Sequence, residues 1–399
     1  MSRRTAERLS AVAPSATLAI SARAAELRAK GVDVFAFGVG EPDFEPPAFV
    51  LEAAREAILK GASKYTAVTG IPELKEAIRD SVKARRGYTC DTSEICVSVG
   101  AKHALFNLAI ALYEAGDEVV IPAPYWVSYP EQVRMMGATP VIVETTAKDG
   151  FRVSPEALEA ALNPRTKAFI LCSPSNPTGS AYDAESMGRL LEVMSRHDAW
   201  FIIDEIYADL VYDGFKHASP RALRPDLADR IIVVDGVSKS YAMTGWRIGW
   251  TIAPKALTKT LDLVQGQSTT NATTVSQHAA IAALRGPQDT LEDMRAKFEA
   301  RRNRMVQGLN DIPGVQCRMP EGAFYAFPDV SALLGKSYGS LRIETDADLA
   351  RLFLDEGHVA CVPGSGFGAA GYMRLSYASN EARIDAGLAS LRRAVALLR

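Results

Sequence analysis

The chain has 399 residues, and 45 Lys and Arg against 47 Asp and Glu leave a formal net charge of −2. That balance argues against a protein that tracks a nucleic-acid backbone, which carries a basic surplus. Hydrophobic residues make up 48% and charged residues 23%, spread along the chain, which excludes disorder over most of its length. At roughly 150 residues per domain, the length allows two or three domains.

The five cysteines (Cys90, Cys96, Cys172, Cys317, Cys361) are odd in number and not closely paired, so a reducing compartment is expected rather than a disulfide framework. The histidines show no ligand-like spacing, and no metal site is expected. The amino end has an Arg pair, but Arg8, Pro14 and several hydroxyl residues interrupt any apolar run, and no stretch approaches the roughly 18 apolar residues of a membrane span. These features predict a soluble, cytoplasmic protein with neither a membrane nor a nucleic-acid partner.

In chain order, residues 1–46 hold a short helix and the loop GVGEPDFEPP. Seven β-rich runs follow: Ile95–Val99, Glu118–Pro122, Pro140–Glu144, Ala168–Cys172, Trp200–Asp204, Ile231–Asp235 and Ile248–Ile252. Several are continuous Val, Ile and Phe runs, as expected of strands covered on both faces. Helical patterns lie between them. Ala101–Glu114 puts Leu105, Leu108, Ala109 and Leu112 on one face, with Gly116 as a stop, and Met187–His197 repeats the pattern. The alternation predicts an α/β fold with a seven-stranded, mostly parallel sheet between helices. After about residue 290 come a charged helix, Asp293–Leu309, and short strand-like pieces at Ala323–Pro328, Val359–Val362 and Tyr372–Tyr377. The expected organisation is a large domain at 47–290 and a smaller α+β domain made of 1–46 with 291–399.

Ligands of open α/β sheets sit beyond the carboxyl ends of the strands. Three strand exits carry chemistry. Ser173–Gly179 (SPSNPTG) is a stiff turn that fixes the direction of Asn176, although alone it reads more readily as a plain polar turn. Trp200–Asp204 ends in an acid followed by Glu205 and Tyr207; an apolar strand ending in a carboxylate calls for a cation or donor, the plainer reading being a helix N-cap. Gly236–Gly249 (GVSKSYAMTGWRIG) holds Lys239 four residues past its strand and Arg247 eight residues further on. A lysine near that sheet edge and away from bulk water has a lowered pKa and can act as a nucleophile. The pair Gly38 and Gly40 lacks the third glycine of a dinucleotide fingerprint, and Gly364–Gly368 (GSGFG) has no following P-loop lysine.

SNPTG, DEIY and SKxYxMxGWRxG in that order resemble the class I aminotransferases, pyridoxal 5′-phosphate enzymes of the type I fold. The likeness runs from Pro14-Ser15-Ala16-Thr17 to Met373-Arg374-Leu375-Ser376-Tyr377. GEPDF, GIPEL, GAKHALFNL and PYWVSYP are most similar to the bacterial aspartate aminotransferases.

The resemblance implies roles. Lys239 forms the Schiff base with the cofactor aldehyde and then shuttles a proton. Asp204 pairs with the pyridine nitrogen, and Asn176 and Tyr207 with the phenolic oxygen. Gly100, Ala101 and Lys102, opening a helix, meet the phosphate together with Arg247 and Ser238. Many relatives have a serine three positions before the lysine, where this chain has Gly236. Trp126 stacks on the ring, Tyr65 reaches the phosphate in a neighbouring subunit, and the site is therefore shared in a homodimer. Arg374 grips the substrate α-carboxylate, with Gly40 and Asn176 beside it. Gln265–Gln277 has no arginine for a distal carboxylate, which leaves Lys102 with hydroxyls near Ser15 and Thr17.

The expected activity is transfer of the amino group of L-aspartate to 2-oxoglutarate by a ping-pong cycle. The same machinery could prefer aromatic amino acids, prephenate or alanine. A lyase using this cofactor is a further possibility. A DNA-binding regulator is disfavoured, because only about 40 residues precede GEPDF, too few for a winged helix.

Overall fold

The computed structural model describes residues 6–13 and 16–399. Its centre is one seven-stranded sheet: β1 (Ile95–Ser98), β2 (Glu118–Ala123), β3 (Thr139–Glu144), β4 (Thr166–Cys172), β5 (Trp200–Asp204), β6 (Ile231–Gly236) and β7 (Gly249–Ile252). All seven expected strands are present, in the spatial order β1-β7-β6-β5-β4-β2-β3. The neighbouring pairs are parallel except those of β7, which runs antiparallel to both β1 and β6.

Successive side chains of a strand point to opposite faces, and two apolar layers form accordingly. On β4, Ala168, Ile170 and Cys172 join one layer, and Phe169 and Leu171 the other. On β5, Ile202 enters the first layer while Phe201 and Ile203 enter the second. The helices Ala101–Leu112, Lys255–Gly266 and Asp289–Asn310 cover the first face; Ala48–Leu59, Pro72–Arg86, Ala184–Ser195 and Thr274–Arg285 cover the second. Burial of each large aliphatic side chain contributes about 1.5–3 kcal/mol, so both covered faces stabilise the sheet.

The first layer continues without a break into the carboxyl-terminal part. There Met373–Ser376 is the centre of a three-stranded antiparallel sheet between Val362–Pro363 and Tyr325–Ala326. The expected strand Val359–Val362 is two strands. Val359–Ala360 pairs in parallel with Phe35–Ala36, and Val362–Pro363 pairs with Met373–Ser376, so the chain changes sheets at Cys361. Among the described residues no helix is long and apolar enough to cross a membrane, and all five cysteines are free and buried.

Candidate active site

Asp204 ends β5 on the face shared by Ile202 and Cys172, which turns its carboxylate toward the carboxyl-terminal part. It caps no helix. Its Oδ1 accepts from the Ile206 N–H at 3.1 Å, and its Oδ2 accepts from the Tyr129 hydroxyl at 2.8 Å. Burial raises its pKa to about 6 against those two donors and the nearby Lys239. A buried acid so poised meets a cation favourably.

Lys239 follows the end of β6, and its Nζ donates to the Gly40 carbonyl at 2.6 Å. Burial pulls its pKa down to about 8; the Glu41 carboxylate opposes that shift, and Arg374 and Arg247 reinforce it. An amine near neutrality is a usable nucleophile and proton carrier.

Arg374, buried on the middle strand of the small sheet, donates from Nη1 to Asn176 Oδ1 at 3.0 Å and from Nη2 to the Gly38 carbonyl at 2.7 Å. The Tyr325 ring lies 4.7 Å from its guanidinium carbon. Its Nε is buried without a partner, a donor left for a ligand. Tyr207 and Tyr325 share a hydroxyl–hydroxyl hydrogen bond of 2.8 Å.

The helix Ala101–Leu112 starts at Gly100, which has no capping side chain. Its first N–H groups have no acceptor within the helix and face an anion favourably. Gly100 has φ 83°, and a Cβ there would stand 2.5 Å from Arg247 Nη2, so only glycine lets the guanidinium lie over the helix start. Arg247 itself is held in the left-handed region (φ 55°), a conformation that costs a non-glycine residue energy and is typical of functional positions. Gly236, the departure noted above, also has a local cause. A Cβ there would stand 2.8 Å from the Ile248 carbonyl and 3.0 Å from Gly249 Cα, so a serine does not fit.

These groups line one cavity of about 600 Å³, which includes Gly40, Ala101, Lys102, Trp126, Asn176, Asp204, Tyr207, Ser238, Lys239, Arg247 and Arg374. Lys102 Nζ stands 4.9 Å from the Trp126 ring at the mouth. Tyr65 is elsewhere, 89% exposed. Ser15 lies outside the described residues, as does the Thr17 side chain. Sequence reasoning missed Tyr129, Tyr325 and Glu41, all of which line the cavity. Tyr129 is in the quoted PYWVSYP and Glu41 in GEPDF, but no spacing rule aims either at the site.

The model of the family "Aminotransferase class I and II" matches residues 32–391. The chain belongs to that family. An aspartate aminotransferase of Rhizobium meliloti (strain 1021) is 46% identical over 385 residues, covering 96% of this chain and 94% of the relative. An aspartate/prephenate aminotransferase of Cereibacter sphaeroides is 45% identical over 392 residues, covering 96% and 98%. The crystal structure of the Rhizobium meliloti aspartate aminotransferase superposes with a TM-score of 0.96 at 45% identity, covering all of both chains. This aminotransferase is thus a pyridoxal-phosphate-dependent transaminase of the type I fold. Its site suits that cofactor on its own chemistry: a buried acid for a ring cation, an amine of lowered pKa, and a helix start with a guanidinium for a phosphate.

Proposed function

We propose that the chain is an aspartate aminotransferase that passes the amino group of L-aspartate to 2-oxoglutarate by a ping-pong cycle. The observation that carries this reading is the convergence of Lys239, Asp204 and Arg374 on one cavity. When bound, pyridoxal phosphate supplies an aldehyde for the amino group and an electron-withdrawing ring for the carbanion.

Lys239 would hold the cofactor through its aldehyde, and its amine, when free, would carry the proton removed from the substrate Cα. Asp204 would keep a proton on the ring nitrogen, and Asn176 and Tyr207 would bind the phenolic oxygen. The N–H groups at Gly100, Ala101 and Lys102, with Arg247 and the Ser238 hydroxyl, would hold the phosphate, and Trp126 would pack against the ring. Arg374 binds the α-carboxylate with a fork whose plane Asn176 and the Gly38 carbonyl fix, close to Gly40. Lys102, at the mouth, meets the distal carboxylate.

We read residues 47–290 as the large domain, and 1–46 with 291–399 as the small one. Pairing of Phe35–Ala36 with Val359–Ala360 and the Arg301–Asp43 bridge at 2.7 Å support that division. The enzyme is read as a cytoplasmic homodimer in which Tyr65 completes the neighbouring site. A second reading adds prephenate as an acceptor. The name of the Cereibacter sphaeroides relative supports it, as does a cavity of about 770 Å³ that borders the site at Lys102, Val127 and Arg247 and offers room beyond Lys102.

The test is a half-reaction in which purified holoenzyme is mixed with one amino acid at a time while the absorbance of the bound cofactor is followed. Aspartate is expected to convert it faster than alanine or phenylalanine, and the reverse order would overturn the aspartate assignment. Lys239→Ala is expected to hold the vitamin without turnover, and full activity in that variant would remove Lys239 from its role.

A further inference from the structure

Behind the cavity, three carboxylates gather on one guanidinium. Arg86 ends the helix Pro72–Arg86, where Gly87 turns the chain with φ 78°. Its Nη1 donates to Asp209 Oδ1 at 2.7 Å, its Nη2 lies 3.5 Å from Asp235 Oδ2, and its Nε lies 3.6 Å from Glu205 Oε2. All four side chains are at least nine-tenths buried. His217 stands 3.3 Å from the other Glu205 oxygen, and Arg85 binds the other Asp209 oxygen.

The cluster follows from strand alternation. Asp204 shares the cavity face with Ile202, so Glu205 turns with Ile203 to the opposite face, and Asp235 turns there with Ile231 and Val233. None of Arg86, Glu205, Asp209 or Asp235 lines the cavity. Each acid is nevertheless tied to a segment that does. Glu205 follows Asp204 directly. Asp235 starts the turn that carries Lys239. Asp209 Oδ2 accepts from the Ser240 hydroxyl at 2.7 Å, one residue past Lys239. Burial pushes Asp209 up, but the two guanidinium groups outweigh it and hold the acid below the usual carboxylate range. Burial raises Asp235 to about 8, with Arg86 opposing and the neighbouring acids adding. So many buried acids stay together only around a fixed cation.

We propose that Arg86 is a positioning residue of the transamination, which sets the separation and angle of the Asp204 carboxylate and the Lys239 amine through Glu205, Asp235 and the Asp209–Ser240 bond. The proposal rests on the roles given above to Lys239 and Asp204. Arg86 donates a hydrogen bond to Asp209 and meets Asp235 and Glu205 as ion pairs from the same rigid plane, whereas a lysine in its place keeps the charge and loses that plane. A misplacement of about 1 Å costs on the order of a hundredfold in rate, so loss of the fork shows in turnover before it shows in binding.

The test is a double-mutant cycle on the holoenzyme with Arg86→Lys, Ser240→Ala and both together. It reads kcat, KM for aspartate, and the visible circular dichroism of the bound cofactor. Expected are a roughly tenfold loss of kcat for Ser240→Ala and a roughly thirtyfold loss for Arg86→Lys, with KM within about twofold and an altered dichroic band. The double variant is expected within about twofold of Arg86→Lys alone, because both changes cut one linkage. Losses that multiply, or a lowered melting temperature with unchanged kcat and dichroism, would overturn the proposal. Should Arg86→Lys not fold, Ser240→Ala decides alone: a tenfold loss with an altered band supports the linkage, and unchanged values refute it. A wild-type protein that converts no amino acid would instead sink the underlying roles of Lys239 and Asp204, and the proposal with them.

Discussion

Asp204 is ionised at neutral pH only against the resistance of its surroundings. Its pKa of about 6 in the folded protein compares with an ordinary 3.8, and burial is the main cause. Between those values the folded state binds a proton that the unfolded state does not, so the contribution of this group to stability is present in acid and lost as the pH rises through about 6. The cost in the cofactor-free protein is on the order of 3 kcal/mol at neutrality. Asp204→Asn removes the titration and forfeits one acceptor, a constant penalty. The stability of Asp204→Asn relative to wild type, followed by denaturant unfolding of protein stripped of cofactor, is therefore expected to improve by up to about 3 kcal/mol as the pH rises from about 4 to about 7. A difference that stays flat over that range would mean that Asp204 is not the strained acid described here. The variant is expected to lose turnover at every pH. The carboxylate itself was legible in the sequence, because an acid at the end of an apolar strand needs a reason. Its donor Tyr129 was not, since that contact joins residues 75 positions apart by way of the tertiary fold.

Among the elements, close approach of β7 to the helix Ala101–Leu112 builds the anion-binding corner. A Cβ on Gly249 would stand 2.6 Å from the Gly100 carbonyl carbon and closer still to the Ala101 nitrogen. Both are backbone atoms, which yield less readily than a flexible side chain, so Gly249→Ala must push the helix start off the strand. Overpacking of this kind costs roughly 1–3 kcal/mol. The variant is expected to melt several degrees lower and to bind pyridoxal phosphate at least tenfold more weakly; unchanged affinity in equilibrium dialysis would separate the helix start from phosphate binding. The strands were readable because runs such as Phe169–Leu171 and Ile231–Val234 must be covered on both sides. What the runs do not encode is direction, and β7 runs antiparallel to β6 after the twelve-residue connection 237–248. Val359–Val362 misled for a related reason: one apolar run serves two sheets, and a break at Cys361 leaves hydrophobicity unchanged. The helix Ala184–Ser195 begins three residues before its apolar pattern at Met187, because its first turn is polar and Asp183 accepts from the Ser186 N–H as its N-cap.

The whole molecule leaves apolar surface uncovered beside the segment that bears Tyr65. Ile58 and Leu59, which end the helix Ala48–Leu59, are 62% and 72% exposed, and Leu263 is 64% exposed. Gln265, two residues past Leu263, donates to the Val68 carbonyl at 2.6 Å, and the Thr274 hydroxyl donates to the Lys64 carbonyl at 2.8 Å, so these segments adjoin. The homodimer proposed above would cover side chains of this kind. If Tyr65 of one copy completes the site of the other, defects in the two roles complement each other. A Lys239→Ala subunit paired with a Tyr65→Ala subunit has one site with both defects and one site with neither. Equal mixing and random reassociation put half of the subunits into such pairs, so about a quarter of the wild-type activity is expected from two nearly inactive parents. Activity at the mean of the two parents, after subunit exchange has been verified by mass spectrometry, would show that each chain builds its site alone.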